Sequence, residues 1–487
     1  MDARCLKFIS GACGGELRSG SPETLALRVC TDSRQVLPGD LFVALPGDRF
    51  DGHDFVTEAA RKAVAVMVER RRLTGTAKGN RSAKGTAPAK LNTGDCAVVA
   101  VEDTRQALGQ LAARYRAEFT LPVIAVAGSN GKTTTKELLA AVLRQKLATL
   151  ASEASFNNDI GVPLTLMKLD KAHQAAVLEV GTNHPGELEP LVRMIRPAYG
   201  VITSIGREHL EFFGDLAGVS REEGWLAELL PPAGKLFING DSEWTRPIVE
   251  RTRAAVIRVG FAAGNEWRVM SLRQDKQGVT FQIEGAQAGF AGEYRVNLLG
   301  RHQAVNALFA VALGAELGLS RAEIERGLAE CKPSKMRLQL WELNGVRVLD
   351  DAYNANADSM LAALQTLQAL PCKGRRVAVL GDMAELGPQS EAAHEEVGRA
   401  AAEMGVSQLF AVGRMAPVIA RGARHAGLNR VFEFLDVEAA AIAVKQFVRT
   451  GDMLLLKASR ATRLERIADQ LRGGDAERRE LTQCSII

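Results

Sequence analysis

Short uninterrupted apolar runs recur along the chain, each bounded by Gly, Pro or Asp, and most are followed by a stretch with helical spacing. Leu41, Phe42, Val43, Ala44 and Leu45 form one run after the Pro38-Gly39 turn; residues 96–101 (CAVVAV) form another, ahead of a helix over 104–117. Pro122–Ala127 leads through glycines into a helix with Leu138, Leu139, Val142 and Leu143 on one face, and strands are predicted at 175–181 and 199–205. The alternation resumes at 346–351, a helix near 358–369, 375–382 and 453–459. Runs this short that lack a polar face read as strands buried on both sides, and strands alternating with helices imply mostly parallel sheets. The fold class is therefore α/β. At about 150 residues per domain, 487 residues give three domains, divided as 1–119, 120–332 and 333–487. No internal repeat of 20 to 50 residues is visible.

Composition changes this picture little. Hydrophobic residues at 46% and charged residues at 24% are ordinary for a globular chain and exclude a disordered or fibrous one. No segment approaches the ~18 to 20 apolar residues of a membrane span, and the start has no sustained apolar core of a secretory signal. Seven scattered cysteines with no CxxC pair fit a reducing, cytoplasmic compartment. Charge needs one correction. Residues 70–94 hold seven Lys/Arg and no acid, more than the whole net charge of +4, so the remainder is mildly acidic. With no aromatic residue to stack on a base, this segment reads as a flexible surface insertion rather than a nucleic-acid contact. The last four residues, from Cys484, superficially form a prenylation box, but Ile is atypical at its end.

The clearest chemistry is VIAVAGSNGKTTTKELL (123–139). A strand, a glycine turn, Gly-Lys-Thr and a helix aim backbone N–H groups and a helix N-terminus at phosphates. Lys132 would reach the β/γ-phosphates and Thr133 would offer its hydroxyl to Mg²⁺. The match is to the short form GxxGKT, Gly128 to Thr133, since the first glycine of the longer motif is Val126.

Motifs in every region then resemble one family, the Mur ligases: TDSR (31–34), PGDLFVALPG (38–47), DGHDF (51–55), GSNGKTTTKE (128–137), FNNDIGVPLTL (156–166), LEVGTNHPGE (178–187), IGREHLEFFG (205–214), DDAYNANADSM (350–360), LGDMAELG (380–387) and KASR (457–460). FNNDIGVPLTL and DDAYNANADSM are similar to the branch that attaches a dipeptide rather than a single amino acid. The resemblance implies an N-terminal UDP-sugar-binding domain, a central P-loop ATPase domain with a mostly parallel sheet and a C-terminal Rossmann-like domain. It implies a reaction in which the peptide carboxylate of UDP-MurNAc-tripeptide attacks ATP, and the amine of D-Ala-D-Ala displaces phosphate from the acyl phosphate. ATP and Mg²⁺, two ions, are implied with it; a monomer with no nucleic-acid partner is expected.

By the same resemblance, residues acquire roles. Gly128, Ser129, Asn130, Gly131, Lys132, Thr133 and Thr134 would cradle ATP, with Asn306, Arg337 and Asp351 reaching the rest of the nucleotide; Gln303 stands where a second asparagine is usual. Glu179 and His209 would join Thr133 as metal ligands. Asp32, Ser33 and Arg34 would grip the UDP-sugar, although Thr-Asp-Ser is also good turn chemistry. Asn157 and Asn158 would lie near the nucleotide and the tripeptide, Asn354, Asn356 and Ser359 on the acceptor side, and Lys457, Ser459 and Arg460 in a loop beside it. Ala357 departs from the family's usual proline. Glu223 stands where the family places a lysine that is carbamylated to bind Mg²⁺. It would either supply that carboxylate directly or serve as the last residue of a capping box with Ser220. A folylpolyglutamate-type ligase and a P-loop binding protein remain as alternatives.

Overall fold

The computed structural model describes residues 1–47, 50–73, 93–285 and 287–473, and three large sheets organise them, with a two-stranded antiparallel pair of Arg4–Cys5 and Leu25–Ala26 beside the first. In the first, Asp40–Val43, Ala65–Glu69 and Ala97–Val101 run parallel and buried, with Arg28–Cys30 parallel at one edge and Glu16–Ser19 antiparallel at the other. The helix Thr104–Arg116 begins at Asp103, whose carboxylate accepts from the Arg105 and Gln106 amides. It packs on helices Gly161–Leu166 and Leu188–Ile195 of the second unit, so the two units share one apolar core.

Residues 70–73 correct the expected insertion. Arg70–Leu73 is a helical turn continuing the strand Ala65–Glu69. Arg70 pairs with Glu16 (3.3 Å) and Glu102 (3.0 Å), Arg71 with Glu69 (2.7 Å), and Arg72 with Asp51. These arginines belong to the folded body because acids on neighbouring elements meet them. The rest of the segment, 74–92, lies outside the described residues, as does the tail holding Cys484.

The second sheet has nine strands, in the order Thr149–Ala151, Ala175–Glu179, Val123–Ala127, Tyr199–Ile202, Lys235–Asn239, Ala255–Gly260, Trp267–Asp275, Gly278–Glu284 and Gly292–Val296. The first seven pair parallel, and Gly278–Glu284 pairs antiparallel with both Trp267–Asp275 and Gly292–Val296. Helix Lys132–Leu143 lays Leu138, Leu139, Val142 and Leu143 on this sheet and on the buried helix Gln303–Glu316. Each of those side chains contributes about 1.5–3 kcal/mol of burial. The third sheet has the order Gln339–Leu343, Val346–Asp350, Met453–Lys457, Arg376–Gly381, Gln408–Val412 and Val431–Phe434, parallel except at its first pair. Strand Val123–Ala127 lies between Ala175–Glu179 and Tyr199–Ile202, so the carboxyl ends of all three converge. In such sheets that end is where ligands bind.

Candidate active site

The loop leaving Val123–Ala127 is tight for a steric reason. Gly128 has φ +110° and a Cβ there would stand 2.6 Å from Thr203 Oγ1; Gly131 has φ +88° and a Cβ would meet Asn306 Oδ1 at 2.7 Å. Both conformations favour glycine. The Ser129 amide donates to Ser204 O (2.9 Å), the Asn130 amide to Ser204 Oγ (2.9 Å), and the Gly206 amide to Ser129 Oγ (2.8 Å). The helix then opens at Lys132, whose ammonium folds back on Gly128 O (2.5 Å).

Beside the loop, Glu179 is buried at the end of its strand. Its Oε1 accepts from Asn157 Nδ2 (2.9 Å), its amide donates to Ser152 Oγ (3.1 Å), and its Oε2 has no hydrogen-bond partner. Thr133 Oγ1 lies 3.5 Å from Ser155 Oγ. A buried carboxylate oxygen left open and a threonine hydroxyl lining the same cleft are oxygen donors of the kind that suit Mg²⁺. Among the described residues no group of three or more His, Cys, Asp or Glu could hold a metal ion. Mg²⁺ needs none, because it keeps waters and shares phosphate oxygens.

Lys132 sits among acids. Glu208 Oε2 is 3.5 Å away. Burial opposes the charge, but Glu208, Glu223 and Glu179 outweigh it and hold the ammonium above its ordinary range. Glu223 lies behind the loop, where its Oε2 accepts from the Gly128 amide (2.8 Å). Burial raises its carboxyl pKa, and Lys132 works against that rise. The capping alternative for Glu223 is corrected here. Helix Leu216–Glu228 is capped by Asp215, and Ser220, well inside it, donates to Trp244 O. His209 has φ +49°, and its Nδ1 lies 2.5 Å from Glu385 Oε2 of the third unit, which itself has φ +60°.

The third unit closes the site. Arg207 donates to Asp358 through its amide (2.7 Å) and Nε (2.8 Å), and to Glu396 through Nη1 (2.6 Å). Asn356 caps helix Ala357–Ala369 and donates to Asn130 Oδ1 (3.1 Å). Arg337 stacks its guanidinium over Tyr353 and donates to Ser155 Oγ (3.4 Å). Asp351 accepts from Lys457 Nζ (2.6 Å) and from the Leu338 amide (3.1 Å). Asn306 donates to Gln303 Oε1 (2.9 Å), and Gln303 meets His302. Burial pushes the His302 imidazole down to about 4, so it is neutral near pH 7.

The result is one cleft of about 640 Å³ between the second and third units. Of the expected residues, Ser129, Asn130, Gly131, Lys132, Thr133, Thr134, Asn157, Asn158, Glu179 and His209 line it from one side, with Asn306. Arg337, Asp351, Asn354, Asn356, Ser359 and Lys457 line the other. Gly128 and Glu223 lie beneath the loop rather than on the wall, and Glu223 has one oxygen already committed. Ser459 is buried with its amide on Asp382 O, away from the wall. Asp32, Ser33 and Arg34 form a separate turn on the first unit: Asp32 caps Ser33–Gln35 and holds Arg34 at 2.7 and 2.9 Å, which lowers the Asp32 pKa. The wall also holds residues that were not expected, among them Ser155, Glu208, His302 and Glu385. Glu208 and Glu385 lie inside the quoted IGREHLEFFG and LGDMAELG motifs, which is the signal that could have found them.

Three family descriptions match successive parts of the chain: "Mur ligase family, catalytic domain" over 28–116, "Mur ligase middle domain" over 126–314, and "Mur ligase, glutamate ligase domain" over 336–460. The UDP-N-acetylmuramoyl-tripeptide--D-alanyl-D-alanine ligase of Escherichia coli is 36% identical, covering 96% of this chain and 98% of that one. This chain belongs to the Mur ligase family. Among solved Mur ligases, a crystal structure of MurF from Acinetobacter baumannii superposes with a TM-score of 0.84 at 31% identity, covering 97% of this chain and 99% of that one. The MurF ligase of Thermotoga maritima, solved in complex with ADP, gives 0.76 at 26% identity, over 91% and 96%. No described helix of this Mur ligase is long and apolar enough to cross a membrane, and its six described cysteines are free.

Proposed function

We propose that this Mur ligase joins D-alanyl-D-alanine to UDP-N-acetylmuramoyl-tripeptide at the expense of ATP, as a cytoplasmic monomer supplying peptidoglycan precursors. The observation that carries the proposal is the cleft itself. A phosphate loop with a charged lysine faces a wall of amide and basic groups from another unit, and the motifs of the dipeptide-adding relatives lie on both sides. We assign the first unit, 1–119, to the UDP-sugar, 120–332 to ATP and 333–487 to the third wall. Asp32, Ser33 and Arg34 offer a guanidinium and a hydroxyl suited to a pyrophosphate.

Two anions, the tripeptide carboxylate and the γ-phosphate, must meet. Lys132 would screen them as a point charge, and the loop amides would hold the phosphates in line. Glu179 with Thr133 would hold one Mg²⁺ and His209 a second, and the ions would neutralise charge on the transferring phosphoryl group. Glu223 would act on this site from behind, as a buried carboxyl that fixes the Gly128 amide and that Lys132 draws toward its charged form against the effect of burial; a direct metal contact would use its second oxygen. Asn306 and the neutral His302 would lie along the nucleotide, and Asp351 would accept from ribose while Lys457 holds it in place. Asn157, Asn158, Asn354 and Asn356 would order the two peptide substrates, and much of the rate would come from that ordering. Phosphate release with ATP, UDP-MurNAc-tripeptide and a panel of amines tests the reading. D-Ala-D-Ala should support turnover, whereas turnover with glutamate or L-alanine alone would sink it.

A further inference from the structure

One buried cation lies outside this chemistry. Lys136, one turn beyond Lys132 on the same helix, has no exposed surface. Its ammonium donates to Ser152 O (2.8 Å), to Ala154 O (3.0 Å) and to the Glu137 carboxylate. An ammonium has three donors, and all three are used. A charge taken wholly out of water persists only when paired and hydrogen-bonded, so the two carbonyls are as necessary to the lysine as the lysine is to them.

What Lys136 grips is the start of the segment that runs beside the phosphate loop. Ala154 has φ +45°, a left-handed conformation that a residue with a Cβ keeps only when its surroundings impose it. Its carbonyl is one of the two turned to the ammonium. The next residue, Ser155, puts Oγ 3.5 Å from Thr133 Oγ1 and 3.4 Å from Arg337 Nη2. Two residues further, Asn157 holds Glu179, whose amide rests on Ser152 Oγ. The anchor at 152–154 therefore sets one end of the segment that carries Ser155 and Asn157 into the cleft, while the Gly181 amide, donating to Asn157 O (2.9 Å), holds the other.

We infer that Lys136 is a positioning residue: it fixes the 152–157 segment so that Ser155 and Asn157 stand at the phosphate end of the nucleotide site. The inference rests on the ATP reading above. Its test combines amide hydrogen exchange, measured with no substrate, and steady-state kinetics. Three variants are compared: Lys136→Met, Lys136→Met/Glu137→Gln (which removes both charges) and Ser155→Ala. In both Lys136 variants the amides of 152–158 should exchange about tenfold faster or more, while strands 123–127 and 175–179 keep their protection. The KM for ATP should rise about tenfold and kcat should fall about a hundredfold, the scale of a misplaced contact, with KM for D-Ala-D-Ala unchanged. Ser155→Ala should reproduce the rise in KM for ATP without the exchange change. Unchanged exchange in 152–158 would overturn the inference. So would a wild-type KM for ATP in Ser155→Ala, or Lys136 variants that lose protection across the whole central sheet or fail to fold, since those are the marks of a merely structural lysine. Exchange needs no nucleotide, so a failed ATP reading would erase the kinetic result and leave the exchange result standing.

Discussion

Lys132 keeps its charge in a nearly dry setting because Glu208, Glu223 and Glu179 surround it. Lys132→Ala should therefore lose turnover by about three orders of magnitude or more while circular dichroism stays native, since on the proposed mechanism it removes the point charge that would screen the migrating group. Glu223→Gln keeps an acceptor for the Gly128 amide but removes the ionisable carboxyl, whose pKa burial raises to about 8. We expect kcat to fall at least about tenfold with little change in melting temperature, and turnover that does not respond to added bicarbonate. Full activity with a lowered melting temperature would make Glu223 a packing residue only. A different carboxyl reports on stability. Burial pushes Asp350, in the third sheet, up to about 6, against about 3.9 unfolded. The folded state thus binds the proton more tightly, so stability is lost as pH rises from about 4 to about 6 and is flat above that. Asp350→Asn should remove this slope and stabilise the protein near pH 7 by up to about 2–3 kcal/mol, read from denaturant melts at pH 4.5 and 7.5. At this scale the sequence was legible where a motif names a residue: Lys132, Glu179 and His209 all reach one cleft. Ser155 was not, because what makes it a wall residue includes a contact with Arg337, 182 residues along the chain.

Capping and strand chemistry decide what happens at the level of elements. Ala357 is the first residue of helix Ala357–Ala369, after Asn356 at φ −129° and ψ 171°. The first helical position needs no amide partner, and an extended residue before it is what proline requires. Ala357→Pro should raise stability by about 0.4–1 kcal/mol with activity retained, whereas a loss would show that the buried site has no room for the ring. Gly131 allows no such freedom, since any side chain would strike Asn306. Parallel strands such as Val123–Ala127 and Met453–Lys457 were visible in the sequence as solid apolar runs, because both faces are covered. The antiparallel strands Trp267–Asp275, Gly278–Glu284 and Gly292–Val296 were not, although each is long enough to signal. One face is solvated, so Arg, Gln and Glu interrupt the pattern, and the Asp275–Gly278 turn between the first two was the available cue. The Ser220–Glu223 spacing had the opposite fault: it copies a cap, yet Asp215 starts the helix several residues earlier.

The whole molecule is held around the cleft by ionic contacts of intermediate exposure. Arg207 ties the loop that touches Ser129 to two acids of the third unit, Asp358 and Glu396. Partly solvated pairs of this kind weaken as salt rises. Arg207→Ala should raise the KM for ATP and shift small-angle scattering toward a more open particle, and high salt should move the wild type in the same direction; identical scattering curves would remove Arg207 from any role in closure. The three sheets were foreseeable from the alternation of runs, while the pairing of Arg207, His209 and Asn130 with the third unit was not, since nothing local encodes a contact between sheets. The buried helix Gln303–Glu316 has a consequence of another kind. Every residue from Gln303 to Ala315 is covered, and its partner helix is Lys132–Leu143. During synthesis the earlier helix leaves the ribosome with its apolar face bare, and at about 5–20 residues per second it waits roughly ten to thirty seconds for the later one. The phosphate loop, although encoded early, is assembled late, and the growing chain should be a client of holdase chaperones until residue 316 has emerged.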